Sequence, residues 1–406
     1  MLEGVLMSLQ ILIVLIGLYH VFMTFFGWYR KKPASLCKPQ KSFAVLVAAH
    51  NEEQVIGALL DNLRRLNYPK ELYDIYVICD NCTDRTAEIV RSYHVHAYER
   101  RNPYLRGKGY AIDWMLKKLW KLPKQYDAVV MFDADNLVAE DFLMHMNTDL
   151  INGHKVIQGY LDTKNPFDSW ITSAYAISYW NVNRLAQLPR TNLGLACFLG
   201  GTGMCIEMNL LKEIGWGATS LVEDLEFTMR CVQRGVYPKF NFDAKVYDEK
   251  PLTFKASARQ RLRWMQGHFS VARKYFFPLL WQGIKERSWA KIDSALYAAN
   301  VYNLFIGSVL TLIYWIDYLL PGEKLSSIYH YTYSWITWFP FITYVLLILS
   351  LIVERVPLRI YKSLITFPIY LLSWSPITMY AFFTQNNKQW SHTKHTRVMR
   401  LEDMHG

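Results

Sequence analysis

The sequence predicts an α/β domain with a largely parallel sheet, joined to an α-helical transmembrane region. Two observations lead there: short β-forming runs alternate with amphipathic helical patterns between residues 42 and 135, and long charge-free apolar stretches lie on both sides of the polar middle of the chain. A composition of 52% hydrophobic and 15% aromatic residues excludes a disordered chain. The 45 basic against 34 acidic side chains, formally +11, suit either nucleic acid or the cytoplasmic loops of a membrane protein, so the position of the charges has to decide.

The first apolar stretch, residues 5–28, carries no charged side chain and is long enough to cross about 30 Å of hydrocarbon as a helix. A cleaved signal peptide is the competing reading, but the run is long for one, lacks a basic head and ends in "WYRKKP" without a small-residue cleavage site. Residues 1–30 are therefore expected to form an N-terminal transmembrane helix. Two further spans are expected within residues 294–353. Residues 357–384 contain a fourth apolar stretch, which Pro368 and Pro376 interrupt and Ser373, Trp374, Ser375 and Thr378 make interfacial in character.

Loop charge sets the expected orientation. Arg30, Lys31, Lys32, Lys38 and Lys41 follow the first span and place the middle region in the cytoplasm, whereas "PGEKLSSIYHYTY" carries one Lys and belongs outside. Arg355, Arg359 and Lys362 then lie inside, as do Lys388, Lys394, Arg397 and Arg400. With both ends on one side, the fourth stretch is expected to be a Pro-broken interfacial or re-entrant helix and residues 385–406 a cytoplasmic tail; four crossings with an external tail is the alternative. The six cysteines, Cys37, Cys79, Cys82, Cys197, Cys205 and Cys231, all fall in the cytoplasmic region, where thiols stay reduced. The Cys79–Cys82 spacing has no second pair to complete a zinc site.

Within the expected cytoplasmic domain, residues 40–255, "SFAVLVAAH" reads as a buried strand and "NEEQVIGALLDNLRRL" as the helix after it, its apolar residues recurring at helical spacing. "YDIYVICDNCTDRTAEIV" repeats strand, turn and helix, with Thr83 or Asp84 as the cap, and "YDAVVMFDADN" supplies a further strand. In such sheets ligands collect at the carboxyl ends of the strands, where Asn51, Glu52, Asp80, Asp133 and Asp135 stand. Asp133 and Asp135 suit a divalent cation and a sugar or ribose hydroxyl, because hard cations prefer oxygen ligands; a solvated turn is the competing reading. "FLGGTGMCI" brings Gly200, Gly201 and Gly203 around Thr202 and suits either close backbone approach to a ligand or an ordinary turn. Glu223, Asp224 and Glu226 open an amphipathic helix, and Glu226 is read as a partner of its dipole.

Taken in order, "AAHNEE", "CDNCTD", "KGYAI", "DAD", "GGTG", "VED" and "QRLRW" resemble the motifs of membrane-embedded family-2 glycosyltransferases, the group of cellulose, chitin, hyaluronan and poly-N-acetylglucosamine synthases. The resemblance runs from about residue 43 to residue 264. It implies a GT-A nucleotide-diphospho-sugar fold, a UDP-sugar donor and Mg²⁺ or Mn²⁺. Asn51, Glu52, Asp80 and Lys108 match nucleotide-contacting positions, Asp133 the first acid of the D-x-D motif and Asp135 its metal-binding acid. Asp224 matches the general base. Gln260, Arg263 and Trp264 match the Q-x-x-R-W motif, whose arginine faces the diphosphate and whose tryptophan supports the acceptor sugar; Gly201, Thr202 and Glu223 fall beside that acceptor position. Cys79 and Asn81 stand where many relatives have an acid and a glycine, and Val222 where threonine is common. In the tail, "WSHTKHTR" is similar to a gating segment through Trp390, Thr396 and Arg397; a plain basic, lipid-contacting tail is the alternative.

The expectation is thus an inverting, processive synthase in the plasma membrane, adding UDP-glucose or UDP-N-acetylglucosamine units to a growing polysaccharide. Single transfer to a membrane lipid is the alternative, and the retained acids argue against a silent scaffold. Nucleic acid is not an expected partner. Three crossings are few to enclose a polymer, so a homo-oligomer or a channel partner is expected. The 256–290 region should form amphipathic interfacial helices, with Arg263 and Trp264 toward the sugar site and Leu262 and Phe269 along the headgroup plane.

Overall fold

The computed structural model describes residues 2–33, 35–217, 220–319, 329–387, 395 and 397–404. The strands, in chain order, are β1 (Phe43–Ala49), β2 (Tyr73–Asp80), β3 (His96–Arg100), β4 (Ala128–Asp133), β5 (Leu137–Val138), β6 (Val156–Thr163), β7 (Met204–Glu207) and β8 (Lys239–Asp248). They form one sheet in the order β3-β2-β1-β4-β7-β6-β8-β5. The first four run parallel, as the alternating pattern predicts. The rest of the sheet corrects that expectation: β7 is antiparallel to both β4 and β6, β6 and β8 are parallel, and β5 is antiparallel to β8, so the sheet is mixed.

Both faces are covered, which is why β1 and β4 read as continuous apolar runs rather than alternating ones. The helices are α1 (Leu2–Thr24), α2 (Ile56–Arg64), α3 (Thr86–Ser92), α4 (Lys108–Leu119), α5 (Phe142–Ile151), α6 (Trp170–Val182), α7 (Leu188–Asn192), α8 (Met208–Ile214), α9 (Glu223–Gln233), α10 (Phe254–Lys285), α11 (Trp289–Leu319), α12 (Tyr329–Val353), α13 (Phe367–Leu372) and α14 (Trp374–Thr384). Phe43, Val45 and Val47 of β1 pack on α2 through Leu59, Leu60 and Leu63. Ala44 and Leu46, on the other face, meet Ile112, Met115 and Leu116 of α4 and Leu211 of α8. The period of two along β1 sets these faces, and the turns after the strands then gather at one edge.

Among the described residues two helical stretches are long and apolar enough to cross a membrane, Gly4–Gly27 and Trp289–Ile313. The fourth apolar stretch is broken: the 3₁₀ helix Leu358–Ile365 and the 367–384 helices meet at an angle of 57°. Pro368 lies in the first turn of α13, where its missing N–H costs nothing. Ion pairs knit these helices to the sheet domain. Arg190 of α7 donates to both oxygens of Asp293 at the start of α11, and Tyr19 of α1 donates to the same carboxylate at 2.7 Å.

Helix α10 corrects the expected role of Phe269. Its ring is wholly buried among Tyr302 and Phe305 of α11 and Phe382 of α14, and Leu262 packs in the same cluster, so this face meets protein rather than lipid. The exposed apolar stripe of α10 lies farther along, at Phe277, Trp281 and Ile284.

Candidate active site

The carboxyl ends of β1, β2, β4 and β8, the first turns of α4 and α9 and the 260–270 stretch of α10 surround a cavity of about 250 Å³. Glu52, Asp80, Asp133, Asp135, Glu223, Asp248 and Glu249 line it, against Arg106, Lys108, Arg263 and His395. Most of the carboxylates are matched by a cation: Glu52 by His395, Asp80 by Arg100, Asp133 by Lys108, Asp248 by Lys250 and Glu249 by Lys164, while Arg106 and Arg263 also line the cavity.

At the β1–β2 end, Asp80 is buried against Arg100. His50 lines the cavity, its Nδ1 2.6 Å from the Asp80 carbonyl oxygen. Asn51 turns away: in a left-handed conformation (φ 55°), it accepts from the Thr83 N–H at 2.8 Å and sews the two strand-end loops together. Asp84 caps α3 by accepting from the Thr86 N–H at 3.0 Å.

Asp133, the last residue of β4, pairs with Lys108, whose ammonium also donates to the Gly201 carbonyl at 2.6 Å. Burial works against the charge on Lys108, but Asp133, Glu223 and Asp224 outweigh it and raise its pKa. Gly201 has φ +82°, the left-handed region open to glycine, and an added Cβ would lie 3.3 Å from Asp224 Oδ2. Thr202 is buried and donates to Asn136, so it braces the D-x-D turn rather than facing the cavity.

Asp135 points another way. Its Oδ2 accepts from the Glu249 N–H at 2.9 Å and lies 3.8 Å from His395 Nε2. The other ring nitrogen of His395 is 3.0 Å from both oxygens of Glu52. Burial opposes ionisation of Asp135, yet His395 and Lys164 hold its pKa below the usual carboxylate range. His395 itself is raised to about 10, Asp135 and Glu52 overcoming the cost of burial. The tail backbone is anchored alongside: Arg397 N–H donates to Glu249 at 3.2 Å, and Lys164 donates to the Arg397 carbonyl at 3.0 Å.

No group of three or more His, Cys, Asp or Glu among the described residues is arranged to enclose a metal ion. A carboxylate and an imidazole side by side still fit one, since Mg²⁺ and Mn²⁺ complete their coordination with phosphate oxygens and water. Asp135 and His395 are the pair that would hold it, the imidazole releasing its proton to the solvent as the ion takes its place.

Glu223 opens α9 and lines the cavity, with Asp224 beside it against Gly201. Burial, reinforced by Asp224, raises Glu223 to about 7; burial also raises Asp224. The two titrate as a pair. Glu226 is more than a dipole partner: it is buried and accepts from Ser220 N–H at 3.0 Å and Lys274 at 2.7 Å, tying the loop before α9 to α10.

On α10, Gln260 and Arg263 line the cavity, and Tyr175 donates to Gln260 at 2.9 Å. Trp264 is not among the lining residues; its indole packs edge-on to Tyr175, 6.2 Å between centroids, and against Trp374 of α14. Farther along, Gln266, Gly267, Ser270 and Gln385 form the wall nearest the membrane helices, and Gln266 donates to Thr384 at 3.1 Å. Of the tail residues singled out in the sequence, Arg397 lies 3.5 Å from Asp168, and Trp390 and Thr396 fall outside the described residues. The sequence reading missed His395, Asp248, Glu249 and Lys164. His395 had a weak signal, a histidine inside the motif-like tail.

The family model described as glycosyltransferase-like family 2 matches residues 39–267. The chain is 25% identical over 402 residues to a probable glycosyltransferase, YdaM, of Bacillus subtilis, covering 93% of this chain and 92% of that one. It is 29% identical to the beta-monoglucosyldiacylglycerol synthase of a Nostoc species, over 64% of this chain and 56% of the relative. With the poly-beta-1,6-N-acetyl-D-glucosamine synthase of Staphylococcus aureus it shares 24% identity, over 61% of this chain and 59% of the relative. Of these last two relatives the chain thus spans somewhat over half the length. The fold is also that of a mannosyltransferase from Pyrobaculum calidifontis solved with GDP-mannose and Mn²⁺, at a TM-score of 0.53 and 16% identity, covering 87% of this chain and 98% of that one.

Proposed function

The chain belongs to glycosyltransferase family 2, and on that premise we propose that it is a membrane-bound polysaccharide synthase, extending a β-linked glycan by single inverting displacements from a UDP-sugar. Nucleotide-sugar donors are those of its family. In this reading the nucleoside lies along His50, Glu52 and Asp80, and the diphosphate between Lys108 and Arg263. Asp135 and His395 would hold the Mg²⁺ or Mn²⁺. When bound, such an ion offsets the charge of the departing diphosphate. Arg263 and Lys108 add fixed positive charge at the same atoms in a water-poor chamber. Asp224 takes the acceptor hydroxyl's proton as the new bond to the anomeric carbon forms and the bond to phosphate breaks. Glu223 orients that hydroxyl.

One observation carries the polymer reading: the wall toward the membrane helices is polar, built by Gln266, Ser270 and Gln385. Amide and hydroxyl groups match the hydroxyls of a sugar chain leaving the site, whereas an acyl chain would meet them at a desolvation cost. With two long apolar helices and one bent pair among the described residues, a closed path for polymer needs a second copy or a partner. In this reading the basic residues after the first apolar helix favour a cytoplasmic cavity.

Transfer to a lipid is the second reading. It is favoured by Leu358, Ile365, Leu372 and Phe383, each more than 70% exposed along the bent pair, where an acyl chain would lie. Incubation of membranes carrying the protein with radiolabelled UDP-glucose and UDP-N-acetylglucosamine, followed by sizing of the product, separates the two. A ladder or a high-mass product is expected; label confined to a single sugar on lipid overturns the polymer reading.

A further inference from the structure

Asp248 ends β8 one residue before Glu249, and no sequence motif points to it. Its side chain is 18% exposed, on the cavity. Lys250 donates to Oδ2 at 2.7 Å, while Oδ1 is enclosed and has no hydrogen-bond partner among the described residues. The Lys250 ammonium also sits 3.4 Å from the centroid of the Tyr179 ring, and its backbone is pinned on both sides by Asn165.

As a structural ion pair this arrangement is poor. A buried carboxylate that serves only the fold gathers donors on both oxygens, because an unmade hydrogen bond costs more than a made one gains. Here Oδ2 has a single donor, the side chain opens on the cavity, and Asp135 and Asp133 repel it, while the enclosed Oδ1 lies beyond a ligand's reach. A group held against local stability at the edge of a reaction chamber points to a ligand.

The surroundings restrict what that ligand is. An anion would meet Asp248, Asp135 and Asp133 together. A metal ion on Oδ2 would sit against the Lys250 ammonium already there. A neutral hydroxyl avoids both repulsions and can donate to the second lone pair of Oδ2. Next to the acid that would hold the metal and diphosphate, the hydroxyl in reach is one on the sugar being transferred.

We propose that Asp248, positioned by Lys250, accepts a hydrogen bond from a hydroxyl of the donor sugar and so selects neutral hexoses over hexuronates. A uronate carboxylate at that place would face Asp248 without a counter-charge. The inference rests on the cavity being the donor site; it does not depend on what the acceptor is.

The test is calorimetric binding of UDP, UDP-glucose, UDP-N-acetylglucosamine and UDP-glucuronate to the full chain in detergent with Mn²⁺. Wild type is expected to bind a neutral UDP-sugar at least about tenfold more tightly than UDP-glucuronate. Asp248→Ala should weaken that neutral donor by about tenfold or more while leaving UDP unchanged. Asp248→Asn retains an oxygen for Lys250, covers the case of an unfolded alanine variant, and should narrow the discrimination against UDP-glucuronate. Equal losses for UDP and UDP-sugar, or UDP-glucuronate binding wild type as well as the neutral donors, overturn the proposal. Failure of wild type to bind UDP at all overturns the donor-site reading itself, and this inference with it.

Discussion

Glu223 and Asp224 concentrate the chemistry into two adjacent carboxyls. Burial raises both, the Asp224 charge adding to the rise of Glu223 and the Asp133 charge to that of Asp224, so the base is present only once Asp224 has lost its proton. Donor turnover, as kcat/KM, should therefore fall on the acid side as Asp224 takes up its proton, at a pH above the ordinary aspartate range. Glu223→Gln removes the like charge and lets Asp224 ionise at lower pH, so the acid limb should move downward. A limb that stays in place or moves upward in a pH–rate series would show that the two acids are not coupled in function. Glu52, Asp80, Asp133, Asp135 and Glu223 were legible in the sequence because they follow an apolar strand or open a patterned helix, whereas Asp248 and Glu249 stand at the end of a strand that no motif marks. His395 was not legible either: it meets Glu52 across 343 residues of chain, and a lone histidine in a basic tail has no spacing to mark it. Trp264 shows the opposite failure, since a motif gives order along the chain but not which way an indole turns, and here it turns toward Tyr175.

Helix α10 joins the cavity to the membrane helices, and its two ends have different surroundings. Apolar periodicity announces a buried face without saying what buries it, so Phe269 and Leu262 read equally well against lipid or against another helix. The tertiary packing of α11 and α14 resolves this in favour of protein. Phe269→Ala should consequently lower stability by about 3–5 kcal/mol, the usual cost of emptying an aromatic site in a packed core. Trp281→Ala, 69% exposed on the same helix, should change it by no more than about 0.5 kcal/mol. Thermal unfolding of both variants in detergent checks the pair; similar losses would mean that the Phe269 face is not packed as described. The sheet shows the same limit. The parallel half followed from strand–helix alternation, which is local, whereas the antiparallel placement of β7 between β4 and β6 depends on pairing between distant segments that no local pattern records.

At the scale of the whole chain, buried ion pairs join the apolar helices to the sheet domain. The Arg190–Asp293–Tyr19 cluster ties α7, α11 and α1 together away from solvent, and Arg184 with Glu354 does the same between the end of α6 and the end of α12. Burial of these charges is tolerated because each is paired, and breaking a pair would strand its partner. Such coupling keeps the polar wall of Gln266, Ser270 and Gln385 between the reacting acids and the membrane segments, which is the basis for assigning the product a path into the membrane. The most direct test is made in sealed inside-out vesicles supplied with labelled UDP-sugar from outside. The account predicts a long product resistant to an added glycoside hydrolase until detergent is introduced. A single labelled sugar on lipid, or a polymer digested without detergent, would contradict it.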